Sequence, residues 1–255
     1  GANVNQCSEG MYLDESEGTE LDEFSTEGST PLIHACYKGR LNTVNCLLAV
    51  DDIEVNYRKD DGGTALHTSC ACGHLQVVEM LLAVGGIHVN QENHEGTTPL
   101  WIASGNGHLK VVEMLLAVDG IQVNQADRHE RATPLFMACE FGHSKVVKML
   151  LAADGIQVNQ VDNEGTTPLS IACGRGNLKM VAMLLAVDGI QVNQANIHGW
   201  TPLNSACQEG HLKIVDMLLA VDGIQVNQAN NDGWTPLNIA CHSGHLKVVE
   251  KLIAV

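Results

Sequence analysis

The sequence predicts an all-α solenoid of stacked helix-turn-helix units joined by hairpin-like finger loops. The first observation is a Thr that recurs every 34 or 35 residues, at Thr30, Thr64, Thr98, Thr133, Thr167, Thr201 and Thr235. The second is the text around each Thr, which runs from TPL to GH, LKVVEMLLAV and DGIQVNQ with few changes. Such a period is typical of repeat architectures, in which each unit buries its apolar face against its neighbours.

Each repeat is expected to contain two short antiparallel helices. Thr followed by Pro, as at Thr201 and Pro202, is an N-cap with Pro in the first helical position, so helix one begins there. A glycine such as Gly210 ends this helix, because it adopts the left-handed conformation without strain. Helix two has apolar residues at helical spacing and ends at an Asp-Gly turn. The VNQ segment and the polar residues after it then predict an extended finger.

This pattern also contains a family consensus. TPLHLAA, GH, VV, LL and DVN are matched in one repeat by Thr201, Pro202, Leu203, Ala206, Gly210, His211, Val215, Leu218, Leu219, Val226 and Asn227. The chain therefore resembles an array of seven ankyrin repeats. The fourth repeat inserts a residue and loses its finger Gly, leaving Arg128, His129, Glu130 and Arg131, so we expect an altered finger there.

The domain organisation follows from the period. We expect residues 28–255 to form the repeat domain, with repeats starting near 28, 62, 96, 131, 165, 199 and 233. Residues 1–27 are interpreted as the partial finger of a preceding repeat, at Val4, Asn5 and Gln6, followed by an acidic insertion. Residues 7–27 contain eight acidic residues and no basic one, a composition typical of mobile segments.

The composition excludes several classes of partner. The formal net charge of -16 opposes binding to nucleic acid, whose phosphates are recognised by basic surfaces. No apolar run is long enough to span a membrane, and no signal peptide is recognisable. The nine cysteines are an odd number in a long chain, which favours reduced thiols and an intracellular protein. The chain is also expected to be monomeric.

One segment has the residue types of a zinc site, namely His67, Cys70, Cys72 and His74. The period offers another explanation for three of them, because Cys70 shares a register with Cys36, Cys139, Cys173, Cys207 and Cys241, while the two histidines fill consensus positions. We expect the cysteines in this register to be buried and inert. We expect the histidines after Gly to tie one repeat to the next. No catalytic or nucleotide-binding motif is present, so we expect no catalytic residue, cofactor or metal ligand.

The resemblance implies that a partner binds the concave face formed by the finger tips and the end of helix one. Within this sequence the repeats agree at TPL, GH and VN but differ at those positions, which are rich in aromatic residues and arginine. The predicted partner-binding residues are Trp101, Arg128, Arg131, Phe136, Phe141, His198, Trp200, Asp232 and Trp234. Alternatively, the Trp rings pack across the bases of their own fingers, and Trp101 and Phe136, which lie at the consensus His position, are partly buried.

The predicted function is therefore a non-catalytic scaffold that binds another protein. An alternative is a targeting or substrate-recruiting arm of a larger enzyme or effector, which the start of the chain inside a repeat favours. A third is a structural spacer without a dedicated partner. The resemblance also implies possible hydroxylation of the finger asparagines Asn56, Asn90, Asn124, Asn159, Asn193 and Asn227, against the simpler interpretation that they stabilise the turn.

Overall fold

A computed structural model describes residues 3–7 and 27–255, and these contain fourteen α-helices and no β-strand. The helices are α1 Pro31–Tyr37, α2 Leu41–Leu48, α3 Ala65–Ala71, α4 Leu75–Leu82, α5 Pro99–Gly105, α6 Leu109–Leu116, α7 Pro134–Glu140, α8 Ser144–Leu150, α9 Pro168–Gly174, α10 Leu178–Leu185, α11 Pro202–Gln208, α12 Leu212–Leu219, α13 Pro236–His242 and α14 Leu246–Ile253. The all-α repeat fold is confirmed. Most of the acidic insertion lies outside the described residues.

The helix boundaries have the local causes expected from the sequence. In α11 the Thr201 hydroxyl accepts a hydrogen bond from the backbone N–H of Asn204, and Pro202 occupies the first helical position. At the other end Gly210 has a φ of 71°, which takes the chain out of the helix. Helix two then begins immediately after His211.

The chain divides into two compact units, one containing residues 1–103 and 108–122 and the other residues 104–107 and 123–255. In the first unit the core contains Leu66 from helix one and Val77, Val78 and Leu81 from helix two, all fully buried. In the second unit the equivalent positions are again fully buried, at Leu135, Val147, Leu150, Leu169, Val181, Leu184, Val215 and Leu218. Aliphatic side chains thus fill both cores.

Within each unit, histidines tie neighbouring repeats together, as predicted. The Nε2 atom of His74 lies 3.0 Å from the carbonyl oxygen of Tyr37, and that of His245 lies 2.9 Å from the carbonyl oxygen of Gln208. Since a carbonyl only accepts, Nε2 donates the proton. A Cβ atom added at Gly210 would lie 2.4 Å from the ring of His245, so glycine there also makes room for the imidazole.

The finger asparagines form a second tie between repeats. Asn193 donates from Nδ2 to the carbonyl of Gly223 at 2.8 Å and accepts through Oδ1 from the backbone N–H of Gln225 at 2.9 Å. Asn56, Asn90, Asn124 and Asn159 repeat the same pair of bonds. These asparagines therefore link their own finger to the Asp-Gly (Gly-Gly for Asn56) turn of the next repeat.

The short N-terminal segment 3–7 follows the same pattern. Asn5 donates to the carbonyl of Asp52 at 2.9 Å and accepts from the backbone N–H of Glu54 at 3.2 Å. Asn5 therefore occupies the position of a finger asparagine before the first complete repeat. The exact domain bounds stay a prediction.

The cysteine register is a buried column in each unit, with one polar member. Cys36, Cys70, Cys139, Cys173 and Cys207 have no exposed surface, and burial raises the pKa of each thiol, that of Cys36 and Cys207 to about 12. Ser104 occupies the same register and is equally buried, but its hydroxyl has no hydrogen-bond partner among the described residues. An unsatisfied buried hydroxyl is destabilising.

Substitution of Ser104→Cys should therefore raise the free energy of unfolding, by about 1 kcal/mol, because the unsatisfied hydroxyl is replaced by a thiol that costs less to bury. Urea unfolding followed by circular dichroism measures the difference. The matched control is Cys139→Ser, which places a hydroxyl in the same register and should lower stability by a similar amount. Two changes of the same sign would contradict this explanation.

Candidate functional site

Each finger is a tight hairpin-like turn shaped by one side chain. In the finger that precedes α11 the backbone N–H of Asn196 donates to the carbonyl of Trp200 at 3.0 Å, which closes the turn. The Oδ1 atom of Asn196 accepts from the backbone N–H groups of His198 and Trp200 at 3.0 and 2.9 Å. Asn230 makes the equivalent bonds to Asp232 and Trp234 in the next finger. The backbone is thus satisfied internally, and the tip side chains are left to face outwards.

Neighbouring fingers in the second unit are also bonded to each other. Asn231 donates from its backbone to the carbonyl of His198 at 3.0 Å and from its side chain to the carbonyl of Ile197 at 2.8 Å. The backbone N–H of Ile197 similarly donates to Glu164 at 2.8 Å. These bonds fix the spacing of the finger tips, so the surface that the tips form is ordered.

The fourth finger is altered, as predicted. Asp127 accepts from the backbone N–H groups of His129, Glu130 and Ala132 through its carboxylate, at 3.0, 2.9 and 2.7 Å. Arg131 has a φ of 55°, a left-handed conformation that glycine adopts at the equivalent position of other fingers. It is the one non-glycine residue with positive φ in the described part of the chain. Arg131 therefore carries backbone strain at an exposed finger tip.

The predicted partner-binding residues differ in accessibility. In the first unit Trp101 is half-buried on α5. In the second unit Trp200 is half-buried, and the exposed residues are Arg128, Arg131, Phe141, His198, Asp232 and Trp234. Phe136 is only 4% exposed, so its ring belongs to the core of α7 and is unavailable to a partner. The expectation for Phe136 is corrected, because Phe136 is the third residue of α7 and its side chain is buried.

The last finger and α13 enclose an open groove of about 380 Å³. Its lining residues are Asp232, Gly233, Trp234, Asn238, Cys241 and His242. The ring of Trp234 is 40% exposed and packs edge-on against the ring of His242, with 5.0 Å between centroids and 90° between planes. This groove brings together three residues from the finger and three from the helix.

Two residues of this groove were not predicted to be accessible from the sequence. Cys241 shares the buried cysteine register but is exposed, so the expectation that it is buried is wrong. The cause is its position, because no later repeat covers α13 among the described residues. Asn238 is exposed for the same reason, whereas its counterpart Asn204 in the preceding repeat is fully buried. The repeat register could have identified both positions, but not their exposure.

The carboxylates near the fourth and fifth fingers repel one another. Burial, followed by the charges of Glu140, Asp127, Asp162 and Glu164, raises the pKa of Glu130. Partial burial likewise raises the pKa of Asp162. Arg175 relieves part of this repulsion through an ion pair with Glu140 at 3.0 Å. The end of helix one and the finger tips in this region therefore have acidic character.

His67, one of the four residues in the segment with zinc-site residue types, has a structural role. Its Nδ1 atom lies 3.1 Å from the backbone nitrogen of Thr64, and its Nε2 atom lies 3.2 Å from the carbonyl of Thr97. The first bond makes Nδ1 an acceptor and the second makes Nε2 a donor, so the ring is neutral. Together with the hydroxyl of Thr64, the ring forms a capping box at the start of α3.

These caps, ties and fingers agree with the family comparison. The family model described as ankyrin repeats (3 copies) matches the overlapping segments 11–93, 32–127, 85–162, 119–196, 154–230 and 189–255. The chain belongs to the ankyrin repeat family. Ankyrin repeats are generally modules for protein–protein interaction, and the fold is typically a non-catalytic scaffold.

A solved structure supports the same fold. The crystal structure of the human ASB11 ankyrin repeat domain is similar to this chain with a TM-score of 0.76 and 27% sequence identity. The alignment covers 87% of this chain and 97% of the ASB11 chain. A search of curated protein sequences finds no significant match. Among the described residues, no helix has the length and apolar character required to cross a membrane.

The capping role of His67 predicts a pH dependence of stability. Burial lowers its pKa to about 4, so the unfolded chain binds a proton below pH ~6.5 while the folded chain does not until about pH 4. Stability contributed by the neutral ring should be fully present above that window and should fall by about 1.4 kcal/mol per pH unit within it. The variant His67→Asn, which resembles Asn204 in the same register, should remove this slope. The free energy of unfolding is measured with urea between pH 7 and 4.5. If it changes with pH by the same amount in the native chain and in His67→Asn, His67 is not the cause.

The strain at Arg131 predicts that Arg131→Gly stabilises the protein. The left-handed conformation costs a non-glycine residue about 1–2 kcal/mol, while glycine gives the unfolded chain about 0.5–1 kcal/mol of extra entropy. A net gain of about 0.5 kcal/mol is therefore expected in urea unfolding. Arg128→Gly is the matched control, because Arg128 does not have positive φ and should lose stability. If both variants have a lower free energy of unfolding than the native chain, Arg131 is not strained.

Proposed function

We propose that this ankyrin repeat chain is a non-catalytic scaffold that binds a protein partner along the face formed by its finger tips and the ends of helix one. The observation that carries the proposal is a division between two classes of residue. The side chains that recur in each repeat are used by the fold, as in the histidine and asparagine ties. The side chains that vary are mostly exposed at the finger tips. A surface that varies on a constant scaffold suits recognition of a particular partner.

Several exposed residues have the chemistry of interface anchors. Aromatic residues and arginine contribute more binding energy than other types when they enter a partner's pocket. In the second unit these are Arg128, Arg131, Phe141 and Trp234. The proposed set in this unit also includes His198 and Asp232, which are exposed, and Trp200, which is half-buried. In the first unit Trp101 is half-buried and completes the proposed set.

The bonds between fingers favour tight binding by this face. Asn231 and Ile197 connect three successive fingers through backbone acceptors, so their tips lose little freedom when a partner binds. Ordering a flexible loop would reduce the affinity, whereas a surface already ordered does not carry that cost. Arg131 adds to this view, because strained residues concentrate at sites of function.

The charge and the cysteines of the chain indicate the kind of partner and the place of action. The net charge of -16 favours a protein partner over nucleic acid. The buried column of reduced thiols suits an intracellular compartment, and we propose that the chain acts there as a monomer without cofactor or metal.

The experiment is a capture assay with the full chain as bait and two altered faces. One variant carries Asp232→Ala with Trp234→Ala, and the other carries Arg128→Ala with Phe141→Ala. The control carries Lys179→Ala with Lys213→Ala, which removes two exposed side chains from second helices. A true partner should be retained by the native chain and the control but bind at least about tenfold more weakly to one altered face, since anchors contribute more than about 2 kcal/mol.

Thermal unfolding by circular dichroism must show that all three variants remain folded. A partner retained equally by every folded variant would place the binding surface elsewhere. Capture of no specific protein by the native chain would favour the structural spacer over the scaffold.

A further inference from the structure

A row of lysines follows the second helices of the repeats in the second unit. Lys145, Lys179 and Lys213 are the second residues of α8, α10 and α12, and all three side chains are exposed. Helix α10 packs against both α8 and α12. Because packed helices lie about 8–10 Å apart, equivalent side chains on these three helices form a row with about that spacing.

Two of these helices lack the acidic residue that accompanies the lysine elsewhere. In α6 of the first unit, Lys110 forms an ion pair with Glu113, three residues later, at 2.7 Å. The position equivalent to Glu113 is Lys148 in α8 and Ala182 in α10, and both are exposed. Duplication of the repeat explains why the lysine recurs, but it does not explain why the acidic residue is replaced in two neighbouring helices.

The charge of this row is not neutralised by the described part of the chain. No described carboxylate forms an ion pair with a lysine of α8 or α10. In α12 the equivalent acidic residue is Asp216, which pairs with Lys251 at 2.9 Å and not with Lys213. The ammonium groups of the row are therefore available to an external anion.

Helix stability does not account for these lysines. A cation in the first turn lies near the positive end of the helix dipole, where an acidic residue would be stabilising. Lys145 and Lys179 both hold such positions, and neither α8 nor α10 has an acidic residue in its first turn. Lys148 lies three residues after Lys145, so two like charges are neighbours on one helix. An exposed feature that opposes local stability is typical of a binding surface.

The wider charge of the chain limits the size of the anion that this row can bind. The net charge is -16, and the turns after α8, α10 and α12 each contain an exposed aspartate, namely Asp154, Asp188 and Asp222. Exposed charges more than about 8 Å apart are largely screened at physiological salt. A short acidic segment confined to the row is therefore attracted. A nucleic acid or an anionic membrane would extend over the surrounding carboxylates and be repelled.

The spacing of the row also selects the conformation of the bound segment. A polyproline II segment has about three residues per turn and rises about 3.1 Å per residue, so every third side chain points the same way at intervals of about 9 Å. This interval matches the separation of packed helices. In a β-strand the side chains on one face are about 7 Å apart, which matches the row less well.

We propose that the second helices of the second unit bind an extended acidic segment of a further partner protein, which has a carboxylate at every third residue. The residues that bind it are Lys145, Lys148, Lys179 and Lys213. Each carboxylate accepts charge-assisted hydrogen bonds from the ammonium groups of one helix. This surface is separate from the finger tips, so the inference goes beyond the scaffold function proposed above. A partner held by the finger tips alone is unaffected by changes in the row.

The test uses the full chain with its lysine amines converted to ¹³C-dimethylamines, which keep their positive charge and give one NMR signal for each lysine. Lys→Arg variants assign the signals. The probe is the peptide acetyl-Glu-Pro-Pro-Glu-Pro-Pro-Glu-amide. One control peptide has the same composition with adjacent charges, acetyl-Glu-Glu-Glu-Pro-Pro-Pro-Pro-amide. In the other control peptide, glutamine replaces every glutamate of the probe.

The probe should shift the signals of Lys145 and Lys179 saturably and leave that of Lys38, in the first unit, unchanged. The peptide with adjacent charges should bind about threefold more weakly, because at least one exposed ion pair is lost. The glutamine peptide should not bind. Raising sodium chloride from about 50 to about 500 mM should weaken binding of the probe by about tenfold, since exposed ion pairs are screened.

The variant Lys148→Glu separates binding from folding. It places an acidic residue three positions after Lys145, as in α6, so the unfolding temperature should rise. Affinity for the probe should fall by about tenfold, because one cation of the row is replaced by a repelling charge. Lys38→Glu makes the same change of charge at the exposed C-cap of α1 and should leave the titration unchanged.

Four results would overturn the inference. They are the absence of a shift for the lysines of α8 and α10, equal affinity for the two glutamate peptides, unchanged affinity in Lys148→Glu, and an equal loss of affinity in Lys38→Glu. Self-association of the free chain that Lys148→Glu abolishes would identify a second copy as the occupant and would equally reject the inference. The titration uses neither altered face of the capture assay, so the two proposals fail separately.

Discussion

Contact between successive repeats is the constraint on which the rest of this structure depends. A pair of seven- or eight-residue helices is too short to be stable alone, so each repeat must bury its apolar side against a neighbour. The histidine and asparagine ties set the register of this burial, because their partners are backbone atoms about one repeat away. The core side chains then need only be aliphatic and of the right size. Within each unit, hydrogen bonds from side chains to the backbone fix each repeat against its neighbour.

The local structure was largely predictable from the sequence, since its causes are local. Thr and Pro begin helix one wherever they occur together, and the glycine after it ends the helix with positive φ. The altered fourth finger was also predictable, because an inserted residue without a glycine must find another solution. These features follow from backbone conformation, which a short sequence specifies.

Accessibility was less predictable, because it depends on what covers a residue. Phe136 lies in α7 and Phe141 at the C-terminal end of the same helix, yet Phe136 is buried and Phe141 is 45% exposed. Cys241 has the register of a buried column but lies in an open groove. The repeat pattern identifies positions, whereas the environment of each position decides its chemistry.

The asparagine ties make the array dependent on the chemical integrity of its amides. In Asn193 one amide atom donates and the other accepts, and both are used. Deamidation to aspartate would replace the donor by a second acceptor facing the carbonyl of Gly223, so an attraction would become a repulsion. Each tie is followed by Gln or, at Asn56, by Tyr rather than by glycine, and a bulky next residue slows the backbone attack that starts deamidation. The residues that follow the finger asparagines thus slow the deamidation of the ties that these asparagines form.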